Sequence, residues 1–160
     1  MKTEAVRILE QLGLPHRVQR FAVKKAGATG SSADEAAEAL GVPLASIVKT
    51  IVLRGDRTGV MRVCLPGSRR LNLKKLARAS GNKHVTLVPV DDLPRLTGYV
   101  RGGVSPLGGR VRHPVFCDAS VQAHARIFVN GGMRGLQIDL APDALVRAAN
   151  AAVADLSDEA

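Results

Sequence analysis

The sequence predicts a single α/β (α+β) domain: helices surrounding a mixed, curved sheet of about six or seven short strands. Three observations lead there. Helix-period and strand-period apolar patterns alternate along the chain. No internal repeat and no Pro/Ser-rich linker divides its 160 residues. The apolar share is 46%, almost all Val, Leu, Ala and Ile, which suits one core burying roughly two-thirds of the surface an unfolded chain exposes. The domain is expected over residues 1–154, with an acidic tail, 155–160, that frays.

Each element has its own signal. Thr3 caps a helix whose Val6, Leu9 and Leu12 share a face and which Gly13 ends. Residues 16–23 read as a strand and 24–31 as a loop of small and basic residues. Ser32-Ala33-Asp34-Glu35 is a capping-box pattern for a helix that stops at Gly41, and Pro43 opens one more short turn. Residues 48–53 and 60–65 are two strands around the turn 55–59. Asn72 caps a helix with Leu73, Leu76 and Ala77 inward and Gly81 after it, leaving Lys74, Lys75 and Arg78 on more exposed faces. Residues 84–88, 115–118, 126–129 and 136–140 supply the remaining strands. A helical turn covers 91–96, and the last helix opens at Pro142-Asp143.

Composition narrows the function. The chain has one Tyr, three Phe and no Trp, which disfavours a single-stranded nucleic-acid binder that stacks bases on aromatic platforms. The net charge is +9 and uneven: residues 54–84 hold nine Lys/Arg against Asp56, whereas the stretch after Gly135 holds five acids against Arg147. A basic half fits a phosphate-rich partner or a merely solvated surface. No apolar run approaches the ~20 residues of a membrane span, and the first residues lead directly into a helix, so neither membrane nor signal peptide is expected. Cys64 and Cys117, each inside an apolar run, read as reduced buried thiols of a cytoplasmic protein.

Two glycine clusters stand out. Residues 96–109 carry five glycines and one proline. Such a segment adds little to a core, but its backbone turns tightly and can present N–H groups to an anion or a carbonyl oxygen. The second cluster, Asn130-Gly131-Gly132-Met133-Arg134-Gly135, lies between two strand-like runs, where Asn-Gly signals a hairpin. Two such loops in one small domain suggest a site built largely from main chain. Neither holds GxGxxG or a Walker A lysine, so no cofactor is expected.

Side-chain chemistry is sparse. Lys49 is the lone charge in Ile47-Val48-Lys49-Thr50-Ile51-Val52-Leu53, and strand alternation places it on the face of Ile51 and Leu53. A lysine there either steers a phosphate or carbonyl into a cleft or snorkels to solvent from an edge strand; the residues leave both open. Ser105, in Gly-Val-Ser-Pro, is not a nucleophile elbow and has no evident base, so its hydroxyl is left to bond backbone or ligand. His16, His84, His113 and His124 share no metal-ligand spacing, and Pro114 keeps His113 and Cys117 off one helix face, so no metal is expected. Arg69, Arg70, Lys74 and Lys75 either meet a nucleic-acid backbone or form a solvated face.

Taken in order, four stretches resemble the YbaK/EbsC family, free-standing relatives of the editing domain inserted in bacterial prolyl-tRNA synthetases. They are Val48-Lys49-Thr50; Leu71-Asn72-Leu73-Lys74-Lys75-Leu76-Ala77; Thr97-Gly98-Tyr99 with Gly102-Gly103-Val104-Ser105-Pro106-Leu107-Gly108; and Gly131-Gly132-Met133-Arg134-Gly135-Leu136. The resemblance runs from the first helix to about Asp143. It implies an editing-domain fold and a deacylase that clears mischarged tRNA(Pro) in trans, Cys-tRNA(Pro) above all. Mischarged tRNA and prolyl-tRNA synthetase are the implied partners.

By the same resemblance Lys49 is the functional lysine, anchoring the terminal phosphate or ribose, and Gly102 to Pro106 match a Gly-x-x-x-Pro substrate loop. The N–H groups of Gly102 and Gly103 would steady the developing oxyanion. Thr50, Tyr99, Val104, Ser105, Pro106, Asn130, Gly131 and Gly132 would bind the substrate, and Arg69, Arg70, Lys74 and Lys75 the tRNA. The attacking group would be water, the ribose hydroxyl or the substrate's own thiol, the last making the reaction lyase-like. Three departures touch specificity. Asn130 stands where a small hydroxyl residue is expected, Gln137 where an acid is, and the loop before Ser32 lacks the aromatic residue of cysteine-specific members. A deacylase for Ala-tRNA(Pro) or another small residue, a non-catalytic tRNA- or synthetase-binding module, and an unrelated basic adaptor are the competing readings.

Overall fold

The computed structural model describes residues 2–23 and 32–160, so the predicted loop 24–31 lies outside the described residues. Helix α1 (Glu4–Gln11) begins where Thr3 Oγ1 accepts the Val6 N–H at 3.3 Å, as its sequence predicts. Strand β1 (His16–Arg20) ends earlier than expected. Helix α2 (Ser32–Leu40) already contains Ser32, which is therefore its first residue rather than its cap. The long hairpin β2 (Ile47–Gly55) and β3 (Gly59–Pro66) leads through β4 (Arg69–Leu71) into α3 (Leu73–Ser80). Asn72 Oδ1 caps α3, and Gly81 closes it at φ 78°. Strand β5 (Val85–Leu87) and helix α4 (Leu93–Thr97) precede the first glycine loop. Beyond it come β6 (Val115–Asp118), β7 (Ile127–Asn130), β8 (Leu136–Leu140), α5 (Pro142–Ala149), β9 (Ala152–Ala154) and β10 (Ser157–Glu159).

The main sheet runs β1-β8-β7-β2-β3-β6-β9, with β5 added beside β2. It is mixed: β7 lies parallel to β2, and β6 lies parallel to both β3 and β9, while the other pairs are antiparallel. One face carries α1 and α5, whose Leu9 and Leu145 join Val48, Cys64, Cys117, Val129 and Ile138 in the largest buried cluster. The opposite face carries α2, packed on Ile47 and Phe128, and α3, whose Leu76 meets Leu53, Met61 and Val63. Cys64 and Cys117 are neighbours across β3 and β6, both free and buried. Burial pushes the Cys117 thiol up to about 12 and the Cys64 thiol higher, so neither is nucleophilic near neutrality.

The strands missed by the sequence are β4, β9 and β10, each three residues long and mostly polar or alanine. Their presence corrects the frayed tail. Leu156 is fully buried against α3, and β10 pairs antiparallel with β4. Lys75 Nζ binds Asp155 at 3.1 Å and Asp158 at 3.0 Å, and Asn72 Nδ2 donates to Asp158 at 2.8 Å. Beneath them the buried Asp118 carboxylate accepts from Leu156 N–H at 2.7 Å and from Ser120. Burial opposes its charge, yet these bonds hold its pKa below the usual carboxylate range. The acids that made the tail look solvated are the groups that fasten it. Among the described residues no helix is long and apolar enough to cross a membrane, and no group of three His, Cys, Asp or Glu could hold a metal ion.

Candidate active site

Strand β2 pairs with β3 along its whole length, but its other edge is shared. Strand β7 takes Ile47 and Val48, β5 takes Leu53 to Gly55, and Lys49 to Ile51 face no strand on that side. A cleft of about 190 Å³ opens there, lined by residues of α2, β2, β7, β8 and the first glycine loop. Lys49 is the third residue of β2, which lies between β7 and β3 inside the sheet and is not an edge strand, so the lysine faces a gap in the sheet rather than its border. It shares a face with Ile47 and Ile51, as alternation predicts, and its ammonium donates to the Arg69 carbonyl at 2.6 Å. Burial lowers the Lys49 pKa, with the negative charge of Asp34 working against that shift.

The first glycine loop is organised from behind by Arg62, a residue the sequence analysis did not single out. Arg62 is 1% exposed on β3. Its guanidinium donates to the carbonyls of Ser105 (3.1 Å), Gly108 (2.7 Å) and Val111 (3.0 Å) and to His113 Nδ1 (3.3 Å), and lies 5.6 Å from the centre of the Tyr99 ring. Gly109, at φ 100°, fits beneath it; a Cβ there would strike the Thr97 carbonyl and Arg62. A buried arginine with no carboxylate bonded to it could be sought from sequence only as a lone charge in the apolar run of β3.

This scaffold redistributes the predicted substrate contacts. Tyr99 is buried, with its hydroxyl donating to the Leu107 carbonyl at 2.6 Å, so it braces the loop. Ser105 is fully buried, and its hydroxyl accepts the Leu107 N–H at 3.2 Å. Pro106 borders a separate cavity beside Arg62 and α5. Val104 and Gly102 do line the cleft. The Gly103 N–H is committed to the Val100 carbonyl at 2.8 Å, whereas the Gly102 N–H meets no acceptor among the described residues. Gly103 instead lets the loops touch: a Cβ there would sit 3.1 Å from the Met133 Cα.

The second loop, residues 131–135, is latched to the first by Asn130, which lines the cleft. Asn130 Nδ2 donates to the Gly102 carbonyl at 2.9 Å and its Oδ1 accepts the Gly132 N–H at 2.7 Å. The Gly131 N–H closes the hairpin onto the Leu136 carbonyl at 2.9 Å, so both glycine amides are spent inside the loop. Arg134 Nε donates to the Arg101 carbonyl at 2.9 Å, a second tie between the loops. Thr50 borders the cleft, but its hydroxyl is buried opposite Cys64 on the other face of the sheet. Gln137, in register with Asn130, lines the cleft with its Oε1 unbonded.

The four basic residues expected to meet tRNA divide into two pairs. Arg69 is held by Ser157 Oγ at 2.7 Å and lies 4.0 Å from Asp118, while Lys75 is held by Asp155 and Asp158. Both are spent on the folded tail; Arg70 and Lys74 stay exposed. Arg101 lines the cleft and Arg134 lies beside it, tied to the Arg101 carbonyl; both are exposed, and neither forms an ion pair among the described residues.

Comparison with known proteins supplies the context for this geometry. The profile of the aminoacyl-tRNA editing domain matches residues 28–148. EbsC of Enterococcus faecalis, proposed as a Cys-tRNA(Pro)/Cys-tRNA(Cys) deacylase, is 40% identical over 98% of this chain and 93% of its own. Proline–tRNA ligase of Thermosipho africanus is 32% identical over 62% of this chain, a match confined to 17% of the ligase. A crystal structure described as that of a proposed trans-editing enzyme for prolyl-tRNA synthetase superposes with TM-score 0.82 and 28% identity, covering 99% of both chains.

Proposed function

The chain belongs to the aminoacyl-tRNA editing domain family, and from that premise we propose that it hydrolyses the ester of mischarged tRNA in trans. The substrate class is tRNA(Pro) carrying a small wrong amino acid, cysteine first, with prolyl-tRNA synthetase as a partner. The observation that carries this reading is the half-buried Lys49 ammonium in a cleft of about 190 Å³ lined by main chain of the first glycine loop. None of the four histidines lines the cleft, and among the described residues no nucleophile–base pair faces it. An activated ester needs none: positioning and charge stabilisation suffice when water, the ribose hydroxyl or a substrate thiol attacks.

The residues then take distinct tasks. Lys49 neutralises charge on the terminal phosphate or the developing oxyanion. The unbonded Gly102 N–H is the main-chain donor, held in place by Asn130 through the Gly102 carbonyl. Ile47, Leu93 and Val104 offer an apolar wall to a short side chain. A deacylation time course on Cys-, Ala- and Pro-charged tRNA(Pro) is the test. Rapid loss of the cysteinyl ester, with the prolyl ester spared, is the expected result. Preference for the alanyl ester would keep the deacylase and change its specificity, whereas no turnover of any ester would leave a binding module.

For tRNA binding, the free cations at the cleft mouth replace the paired ones on β4 and α3. Arg101→Gln and Arg134→Gln are each expected to weaken binding of uncharged tRNA and to reduce the slope of log K against log salt by about 0.7, the value for one phosphate contact on a single strand. Arg57→Gln, exposed on the β2–β3 turn, is the charge-matched control. Equal slopes for all three variants would refute the assignment.

A further inference from the structure

Gln137 is a polar group that the mechanism above does not use. It lies on β8 opposite Asn130, on the face of the sheet that also carries Ile47 and Lys49. It is 6% exposed, lines the cleft, and its Oε1 has no hydrogen-bond partner. Asp139, two residues along the same strand, shows the contrast: its carboxylate is bound by Arg17 at 2.8 Å and by Arg126 at 2.8 Å. A buried amide oxygen without a donor forfeits the bond it made to water, and a bound donor relieves that penalty.

The other groups at the cleft define which donor this is. Lys49 and the Gly102 N–H are donors, matched to the oxygens of an ester or phosphate. Asn130 Oδ1 is already occupied by Gly132. Gln137 Oε1 is the amide acceptor left open, and an aminoacyl ester brings one strong donor close to its carbonyl, the α-amine. We propose that Gln137 is a substrate-binding residue that accepts a hydrogen bond from the α-amino group of the bound aminoacyl moiety. The proposal rests on the deacylase reading and adds the group that the cleft reads.

The test reads binding apart from turnover. Non-hydrolysable, amide-linked alanyl- and cysteinyl-adenosine are compared with their desamino counterparts, which carry propionyl and 3-mercaptopropionyl groups. The wild type is expected to bind the amine-bearing analogues about ten- to a hundredfold more tightly. In Gln137→Met, similar in length but without the acceptor, that preference falls toward unity while the desamino analogues bind as before. Gln137→Glu keeps an acceptor and keeps the preference. Equal binding of both analogue sets by the wild type overturns the proposal, as does a Gln137→Met variant that keeps the preference or loses affinity for both sets by the same factor. Because no ester is cleaved, a preference for the amine in a protein that fails to deacylate tRNA would sustain this inference while removing the enzymatic one.

Discussion

Lys49→Ala is expected to lower kcat/KM for the cleavable ester by about 10²–10³-fold, the usual loss when one preorganised donor to a developing charge is removed. The protein should fold as before. The Lys49 side chain is only half-buried, its bond is to a main-chain carbonyl, and burial already disfavours its charge, so removal costs the fold little. The pH dependence follows from the same shift. The ammonium is the working form, and its pKa is lowered, so activity should decline at high pH from a point below the ordinary lysine range. Lys49→Arg, which stays charged, should move that decline upward while restoring part of the rate. For stability the sign is opposite. Between the lowered native value and the ordinary one the unfolded chain binds more protons, so this residue favours the fold slightly more as pH rises. A Lys49→Ala enzyme within twofold of the wild type would remove the lysine from the mechanism.

Arg62→Met should produce the largest stability loss of any single change near the site, about 3 kcal/mol, because three buried carbonyls lose their donors at once. For a domain of this size that corresponds to a fall in Tm of about 6–12 °C. The lost desolvation of the guanidinium offsets part of the cost, which is why the sum of three separate penalties is not reached. Arg62→Lys should recover little. One ammonium cannot span Ser105, Gly108, Val111 and His113, which a planar fork reaches together. Deacylation should fall in both variants at temperatures where they remain folded, since Gly102 belongs to the loop that Arg62 anchors. Thermal melts alongside initial rates measure both effects; an unchanged Tm in Arg62→Met would show that the loop is held by Tyr99 and the second glycine loop instead.

Local signals carried most of the fold. Thr3, Asn72, Gly13 and Gly81 bound their helices where predicted, because caps and left-handed terminators act within a few residues. The seven strands expected from the sequence are all present; β4 and β10 are short and mostly polar, and β9 is two-thirds alanine, so none of the three carries the β-branched signal that marks even the three-residue β5. The site was less legible. Lys49 was visible as a charge in an apolar strand, but its escape from an edge position depends on β7 and β5 flanking β2 from distant parts of the chain.

The sequence by itself determined the alternation of elements, the two glycine loops, the lone strand lysine and, through ordered motifs, the family. Tertiary structure alone decided which polar groups are free to act. Ser105, Tyr99, Gly103, Gly131 and Gly132 look like ligand contacts in the sequence and spend their groups inside the loops; Arg69 and Lys75 look like free cations and are bound by the tail. Gln137 and Arg62 look unremarkable and become the open acceptor and the buried anchor. The reason is physical: a hydrogen-bonding group acts on a ligand only if no protein partner saturates it first. For the loop residues that partner is close in the chain but is met only in the folded turn, and for Arg69 and Lys75 it lies 80 or more residues away.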